Sequence, residues 1–462
     1  MHRPDIFLII MDTLRKDFSV KIREMLVEEG FTDYDRAFST ASWTQPSISS
    51  IMTGHYPKHH GVHVSGDVKA YDLRLKKGSR YLPSILKENG YQNYLFSANP
   101  FVTRNFGYSD FDHYHERLPE KTIKVLNKAE TQLLDRLRKE KVSTFAIVNE
   151  LIKKRNFRLL IKGLINRVNN TIPMRWVYSL YRTHILGWPK DKGIRILKRT
   201  FKEIFSGNRS KGPKFVMMNF METHEPYFKD PLIVSKVTMN DRKYTEVMTE
   251  EMKEKLVDKY REHSVHLEKE LRSLLGIIKE KCDFQNSMII FTSDHGQMLG
   301  EEDRLGHGRF LNKELINVPL LIKYPDNAEI KRMKIGSQAI SLKKLYDLII
   351  SAGSGGGYSE GILYNDTIFA ESYGMIFKYS PKEEIERRKV RELEKYKIFI
   401  YHKGHKGRFD VKNWKFIHIS PGDDKSNPRN NEKTLKGKVL KFMNDQNIRD
   451  IARMRSIGRK DC

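Results

Sequence analysis

The chain has 462 residues, 39% hydrophobic and 11% aromatic, enough apolar material for a large packed core and too much for a disordered polymer. Its formal net charge of +26 points to anionic partners such as a phosphate or sulfate ester, an acidic polymer, a lipid headgroup or nucleic acid, although well-solvated lysine-rich surfaces give the same sum. The two cysteines, Cys282 and Cys462, are too few for a disulfide framework or a zinc–thiolate cluster.

Residues 5–11 (DIFLIIM) form an apolar run of one strand's length. The run is far shorter than a secretory h-region or a membrane span, and no other stretch approaches one, so the cytoplasm is the expected location. Residues 81–90 (YLPSILKENG) predict an amphipathic helix closed by Gly90, and residues 91–96 (YQNYLF) the next strand. Further strands are expected at 215–220, 288–292 and 318–323, with helical periodicity over 250–281. This alternation predicts an α/β fold: a doubly wound, mostly parallel sheet flanked by helices.

Two regions depart from that rhythm. Residues 118–211 read as a helical insertion of net charge about +16, interrupting a catalytic domain that spans 1–350. Inside it, 152–164 and 194–205 have the look of basic amphipathic helices. Each fits a helix lying on a membrane surface or acidic polymer, and equally a cap that packs its apolar face on the core. The glycine-rich segment 351–357 reads as a linker to a small C-terminal α+β subdomain, 361–462, with antiparallel strands at 367–373, 396–402 and 414–419. No nucleic-acid motif appears.

The residues able to do chemistry sit where strands end. Asp12 follows the first strand, and Asp294 and His295 follow another; Thr44 opens a short helix. In open α/β sheets ligands bind outside the carboxyl ends of the strands, so these four can converge. Two aspartates, an imidazole and a hydroxyl make a donor set for one divalent ion, with manganese, zinc, calcium and magnesium all admissible. In the segment 44–54 (TQPSISSIMTG), Thr44 is expected as N-cap, Pro46 in the first turn and Gly54 as the stop. Ile48, Ile51 and Met52 share one apolar face. An anion is favoured at such a helix start, and an ordinary capping threonine shows the same local pattern.

The run from Thr44 to Gly54, followed by His55-Tyr56-Pro57 and His60-Gly61, resembles the nucleophile segment of the sulfatase family in the alkaline-phosphatase superfamily. Residues 10–17 (IMDTLRKD) resemble its first metal-binding segment. Residues 292–296 (TSDHG), with Gly300-Glu301, Gly306-His307-Gly308 and Asn317-Val318-Pro319-Leu320, resemble its second. Residues 221–227 (METHEPY) resemble the segment whose histidine faces the substrate. The resemblance implies that Asp12, Thr44, Asp294 and His295 hold the metal, that Thr44 is the nucleophile, and that His224 and His307 face the ester. Asn99 and Arg15 are candidates for substrate binding, Arg15 alternatively pairing with Asp17 to shape its loop. His55, His59, His60 and His63 are expected to be structural.

The chain departs from sulfatases in three places: Thr44 where formylglycine sulfatases begin from cysteine or serine, Ile48 where they carry arginine, and Thr13 where many sulfatases have a second aspartate. Threonine cannot yield the aldehyde hydrate. The expected activity is therefore a metal-dependent hydrolase or transferase of phosphate or sulfate esters, the substrate being an anionic ester, glycan- or lipid-linked. A sulfuric ester hydrolase without formylglycine and a non-catalytic binder of anionic polymer or membrane are the alternatives.

Overall fold

The computed structural model describes residues 3–65, 68–76, 81–116, 130, 133–134, 136–137, 143–169, 188–207, 212–229, 249–333, 336–377, 384–420 and 428–445. Much of the basic insertion, including 118–129, 170–187 and 208–211, and Cys462 lie outside the described residues.

The chain divides into two compact units, one of residues 1–117 and 192–462, the other of residues 118–191. In the larger unit a seven-stranded sheet is built from β1 (Ile6–Met11), β2 (Thr32–Asp33), β3 (Gln92–Ser97), β4 (His113–Glu116), β5 (Lys214–Phe220), β6 (Met288–Ser293) and β7 (Leu320–Lys323), in the order β2-β7-β6-β1-β5-β3-β4. All neighbours are parallel except β7, which runs antiparallel to β6 and β2. β1, β6 and β7 are wholly buried, which is why they read as continuous apolar runs rather than alternating ones. Alternate residues feed opposite layers: Ile6, Leu8 and Ile10 pack into one core, Phe7, Ile9 and Met11 into the other. Because β1 and β6 are parallel neighbours in register, with Met11 opposite Ser293, their carboxyl ends leave the sheet side by side.

Helix α1 (Thr44–Thr53) is buried along its whole length and ends at Gly54 in the left-handed conformation, as its sequence predicts. Its N-cap is Trp43, however, and Thr44 is the first helical residue, so the expected capping role is corrected by one position. The helix α4 (Ile194–Gly207), which the sequence reading gave to the insertion, belongs to the larger unit. Ile194, Leu197 and Phe201 are buried against the sheet, with the Phe201 ring edge-on to Phe7 and Phe96, while Arg195, Arg199 and Lys202 are exposed and Lys198 is buried against Glu270. Its basic amphipathic pattern is that of a core-packing helix. The predicted helix over 152–164 is two: α2 (Thr144–Lys153) and α3 (Phe157–Asn169), separated by Arg155 at a positive φ. The long helix α5 (Glu250–Lys281) covers the same core as α4.

Residues 351–353 finish a helix, Leu345–Gly353, so the expected linker is shorter than it looked. The C-terminal sheet comprises β8 (Thr367–Ser372), β9 (Lys397–His402), β10 (His405–Asp410) and β11 (Lys415–Ser420), all antiparallel, and it groups with the larger unit. Strand β10 escaped the sequence reading because HKGRFD carries a single large apolar residue. Its turn is visible in hindsight: Lys403 and Gly404 both have positive φ, as a two-residue hairpin demands. A helix, α6 (Pro428–Asp445), packs Leu435, Val439 and Met443 beside this sheet. Among the described residues no helix is long and apolar enough to cross a membrane.

Candidate active site

Asp12 leaves the end of β1, Asp294 and His295 leave the end of β6, and Thr44 starts α1. The structure brings all four together. Thr44 Oγ1 lies 3.3 Å from Asp12 Oδ2 and 3.4 Å from His295 Nε2. His295 Nε2 lies 3.6 Å from Asp12 Oδ1 and 3.5 Å from Asp294 Oδ2. Asp12, Asp294 and His295 are fully buried, and among the described residues they form the one group of carboxylates, thiols and imidazoles spaced to hold a metal ion.

The chemistry of these donors fits a divalent cation. Asp12 Oδ1 and Asp294 Oδ2 are buried and accept no hydrogen bond, an arrangement that is costly for two carboxylates unless a positive charge sits between them. Burial and the neighbouring Asp294 charge push the Asp12 carboxyl up to about 6. Burial pushes Asp294 up to about 7 despite hydrogen bonds from the Thr13 and His295 backbone. Burial also drives His295 down to about 4, which keeps its imidazole neutral. The His295 Nδ1–H donates to the Gly296 carbonyl at 2.8 Å, leaving the Nε2 lone pair aimed at the carboxylates.

The surrounding groups fix this geometry. Asn99 Nδ2 donates to Asp12 Oδ2, and Asn99 Oδ1 accepts from Phe101 N at 2.8 Å, so Asn99 holds the Asp12 carboxylate in place. Thr223 Oγ1 donates to the Asp12 carbonyl at 2.7 Å. Thr13 has φ 63, unusual for a β-branched residue; Tyr260 Oη, 2.6 Å from the Thr13 carbonyl, clamps it there, and the turn aims Thr13 N at Asp294 Oδ1. Gly296 cannot be replaced without movement: a Cβ there would meet the Glu314 carbonyl at 1.9 Å.

His224 and His307 are half-buried and form the exposed side of the cluster. Their rings meet edge to face at 5.1 Å, and His307 lies 4.7 Å from His295. His224 Nδ1–H donates to the Glu225 carbonyl, 2.8 Å away. His307 Nδ1–H donates to Gln297 Oε1 at 2.8 Å, and Gln297 Nε2 donates to Glu225 Oε2 at 3.2 Å. Both imidazoles therefore present Nε2 as their free nitrogen. Burial and the adjacent histidines hold His307 well below its ordinary range.

Arg15 sits elsewhere in the network. Its Nε and Nη2 bond both oxygens of Asp17, at 3.0 and 2.6 Å, and Nη1 bonds Glu301 at 2.5 Å and the Gln297 carbonyl at 3.2 Å. Every nitrogen of Arg15 is engaged, and its pairing with Asp17 is the loop-shaping contact weighed against substrate binding in the sequence. In the histidine cluster His55 stacks on His59, His63 stacks on Tyr373, and His60 bonds Ser50 Oγ and Val62 N. The sequence reading missed Gln297, Tyr260 and Thr13. Gln297 and Thr13 lie within two residues of a ligand, a signal that was there to use; Tyr260, in the middle of α5, had none.

The fold and the site together define an ester hydrolase of the alkaline-phosphatase type. The sulfatase family model matches residues 4–348, and the chain belongs to the sulfatase family. No curated protein matches it. Similar solved structures include the phosphonate monoester hydrolase of Agrobacterium radiobacter (TM-score 0.59, 16% identity, 96% of each chain covered). Phosphonate monoester hydrolase SpPMH from Silicibacter pomeroyi follows at TM-score 0.62 and 13% identity, again over 96% of each chain. A 2-O GAG sulfatase is similar at TM-score 0.60 and 12% identity, over 98% of this chain and 94% of that one. At these identities the likeness is one of fold.

Proposed function

We propose that the chain is a metal-dependent hydrolase or transferase of phosphate, phosphonate or sulfate esters, with Thr44 as its nucleophile. The observation that carries this reading is the Thr44 hydroxyl, 3.3 and 3.4 Å from two members of a buried donor set in which Asp12 and Asp294 each keep one oxygen, Oδ1 and Oδ2 respectively, without a hydrogen bond. Asp12, Asp294 and His295 would hold one divalent ion, with Thr44 completing the set. Such an ion supplies Lewis-acid polarisation and offsets the charge of the two carboxylates.

Thr44 Oγ1 gives up its proton, along the hydrogen bond it already makes to Asp12 Oδ2, and attacks the phosphorus or sulfur, forming one bond to it while the bond to the ester oxygen breaks. The N-terminus of α1 directs its first N–H groups and positive dipole end towards the anionic group. His224 and His307, both presenting Nε2, bind the ester oxygens and move a proton to the departing one. Burial and the adjacent histidines favour the neutral form of the His307 imidazole, and an arriving anion favours its protonated form. Water then releases the acid and regenerates Thr44; an alcohol in its place gives transfer.

Thr44 itself favours phosphoryl or phosphonyl esters over sulfate, because the formylglycine route is closed to threonine. Ile48, fully buried at the position of the formylglycine sulfatases' arginine, points the same way. The test is a panel of aryl sulfate, phosphate monoester, phosphodiester and phosphonate monoester with supplied metal. One ester class should be turned over, and Thr44→Ala should lower kcat by a factor on the order of 10⁴ or more with the fold intact. Near-normal turnover by that variant would remove Thr44 from the mechanism.

A further inference from the structure

The compact unit of residues 118–191 carries an unusual surface. Helices α2 and α3 bury Leu151 and Leu159 with Leu134 and Leu137 in a small core of their own. Their other faces hold large apolar side chains in solvent: Phe145 is 73% exposed, Ile152 45%, Phe157 53%, Ile161 56%, Leu164 65% and Ile165 49%. Six of the fifteen exposed large apolar residues among the described residues thus lie on these two helices. On α3 they fall at i, i+4, i+7 and i+8, a continuous stripe roughly opposite Leu159. On α2, Phe145 and Ile152 are seven apart and share a face.

Charge flanks the stripe. Between Ile152 and Asn169 the sequence holds six lysines and arginines and no acidic residue. Lys153, Lys154, Arg155 and Arg158 are exposed. Glu130 pairs with Lys162 and Glu150 with Lys154, but Lys153, Arg155 and Arg158 have no ion pair among the described residues.

We propose that this helix pair docks in the headgroup region of an anionic lipid bilayer, lying on the membrane and not crossing it. At 10 and 13 residues, neither helix can span a bilayer, which takes about 20. A phosphate polymer would be met by the cations alone and gives no reason for an exposed apolar stripe. A second copy of the chain would bring a second acid-free basic face against the first and be repelled. A lipid surface answers both features at once, the acyl boundary taking the stripe and the anionic headgroups the flanking cations. This surface is independent of the chemistry at Thr44.

The test is co-sedimentation of the full chain with vesicles of phosphatidylcholine alone or mixed with phosphatidylglycerol. Binding is expected only to the anionic vesicles and should weaken as salt rises. The triple variant Phe157→Ser, Ile161→Ser, Leu164→Ser should abolish it. The double variant Lys153→Glu, Arg158→Glu, which changes only exposed charges and leaves the small core untouched, should weaken it at least about tenfold. Both variants should hydrolyse a soluble ester at the parental rate, which separates a docking defect from a failed active site. Absence of vesicle binding overturns the proposal, as does binding that the double variant leaves unchanged. Two further results would overturn it by naming another occupant: a dimer in solution that the serine variant dissolves, or binding to heparin with none to vesicles.

Discussion

At the residue scale two buried carboxylates, Asp12 and Asp294, face each other and disfavour both being charged without a cation between them. Asp12 and Asp294 each leave one oxygen buried and unbonded, and burial lifts both towards neutrality. A bound divalent ion reverses that preference, so the cluster should hold metal tightly and only as a set. Elemental analysis of purified protein should find about one divalent ion per chain, and Asp294→Ala should lose it. Retention of the ion by that variant would place the metal elsewhere. The convergence of Asp12, Thr44, Asp294 and His295 was legible because each stands beside a strand end or helix start, where local sequence announces the element. Tyr260 was not legible, since its partner Thr13 lies 247 positions away in the chain and nothing near Tyr260 marks it. Gln297 could have been found: it sits two residues past His295, and a half-buried imidazole such as His307 needs a partner for its Nδ1.

At the element scale, continuous apolar runs identified β1, β6 and β7 because their strands are buried on both faces. Strand β10 failed that test because HKGRFD carries one large apolar residue, Phe409, between two paired neighbours. Amphipathic basic helices were the other ambiguity. Periodicity alone could not separate α4, whose apolar face fills the core, from α3, whose apolar face stands in water, because the pattern records a face and not what covers it. The C-terminal sheet yields a pH prediction. Lys397, at the start of β9, donates to the Glu392 carbonyl at 3.0 Å, and burial pulls its ammonium down to about 8 against the opposing charges of Asp410 and Glu392. Its folded value lies below its unfolded one, so its contribution is fully present above about pH 10 and is lost as pH falls through about 8. The melting temperature of Lys397→Met should therefore rise less than the parent's between about pH 7 and pH 9.5, by an amount equivalent to about 1–2 kcal/mol. Equal slopes would show that Lys397 titrates normally.

At the scale of the whole molecule, the net charge of +26 and a site opening at His224 and His307 favour an anionic ester over a neutral one. Raising salt should lower kcat/KM for such an ester severalfold while leaving kcat nearly constant, since screening acts on encounter and not on the buried cluster. A kcat that falls with salt instead would locate the effect inside the site. The central claim, that Thr44 forms a covalent bond to the transferred group, is tested most directly by acid quench during turnover and mass analysis of the peptide that contains Thr44. The account predicts that this peptide gains the mass of one phosphoryl, phosphonyl or sulfuryl group, and that Thr44→Ala gains none. Rapid turnover with no modified peptide, or with the added mass on another residue, would contradict it.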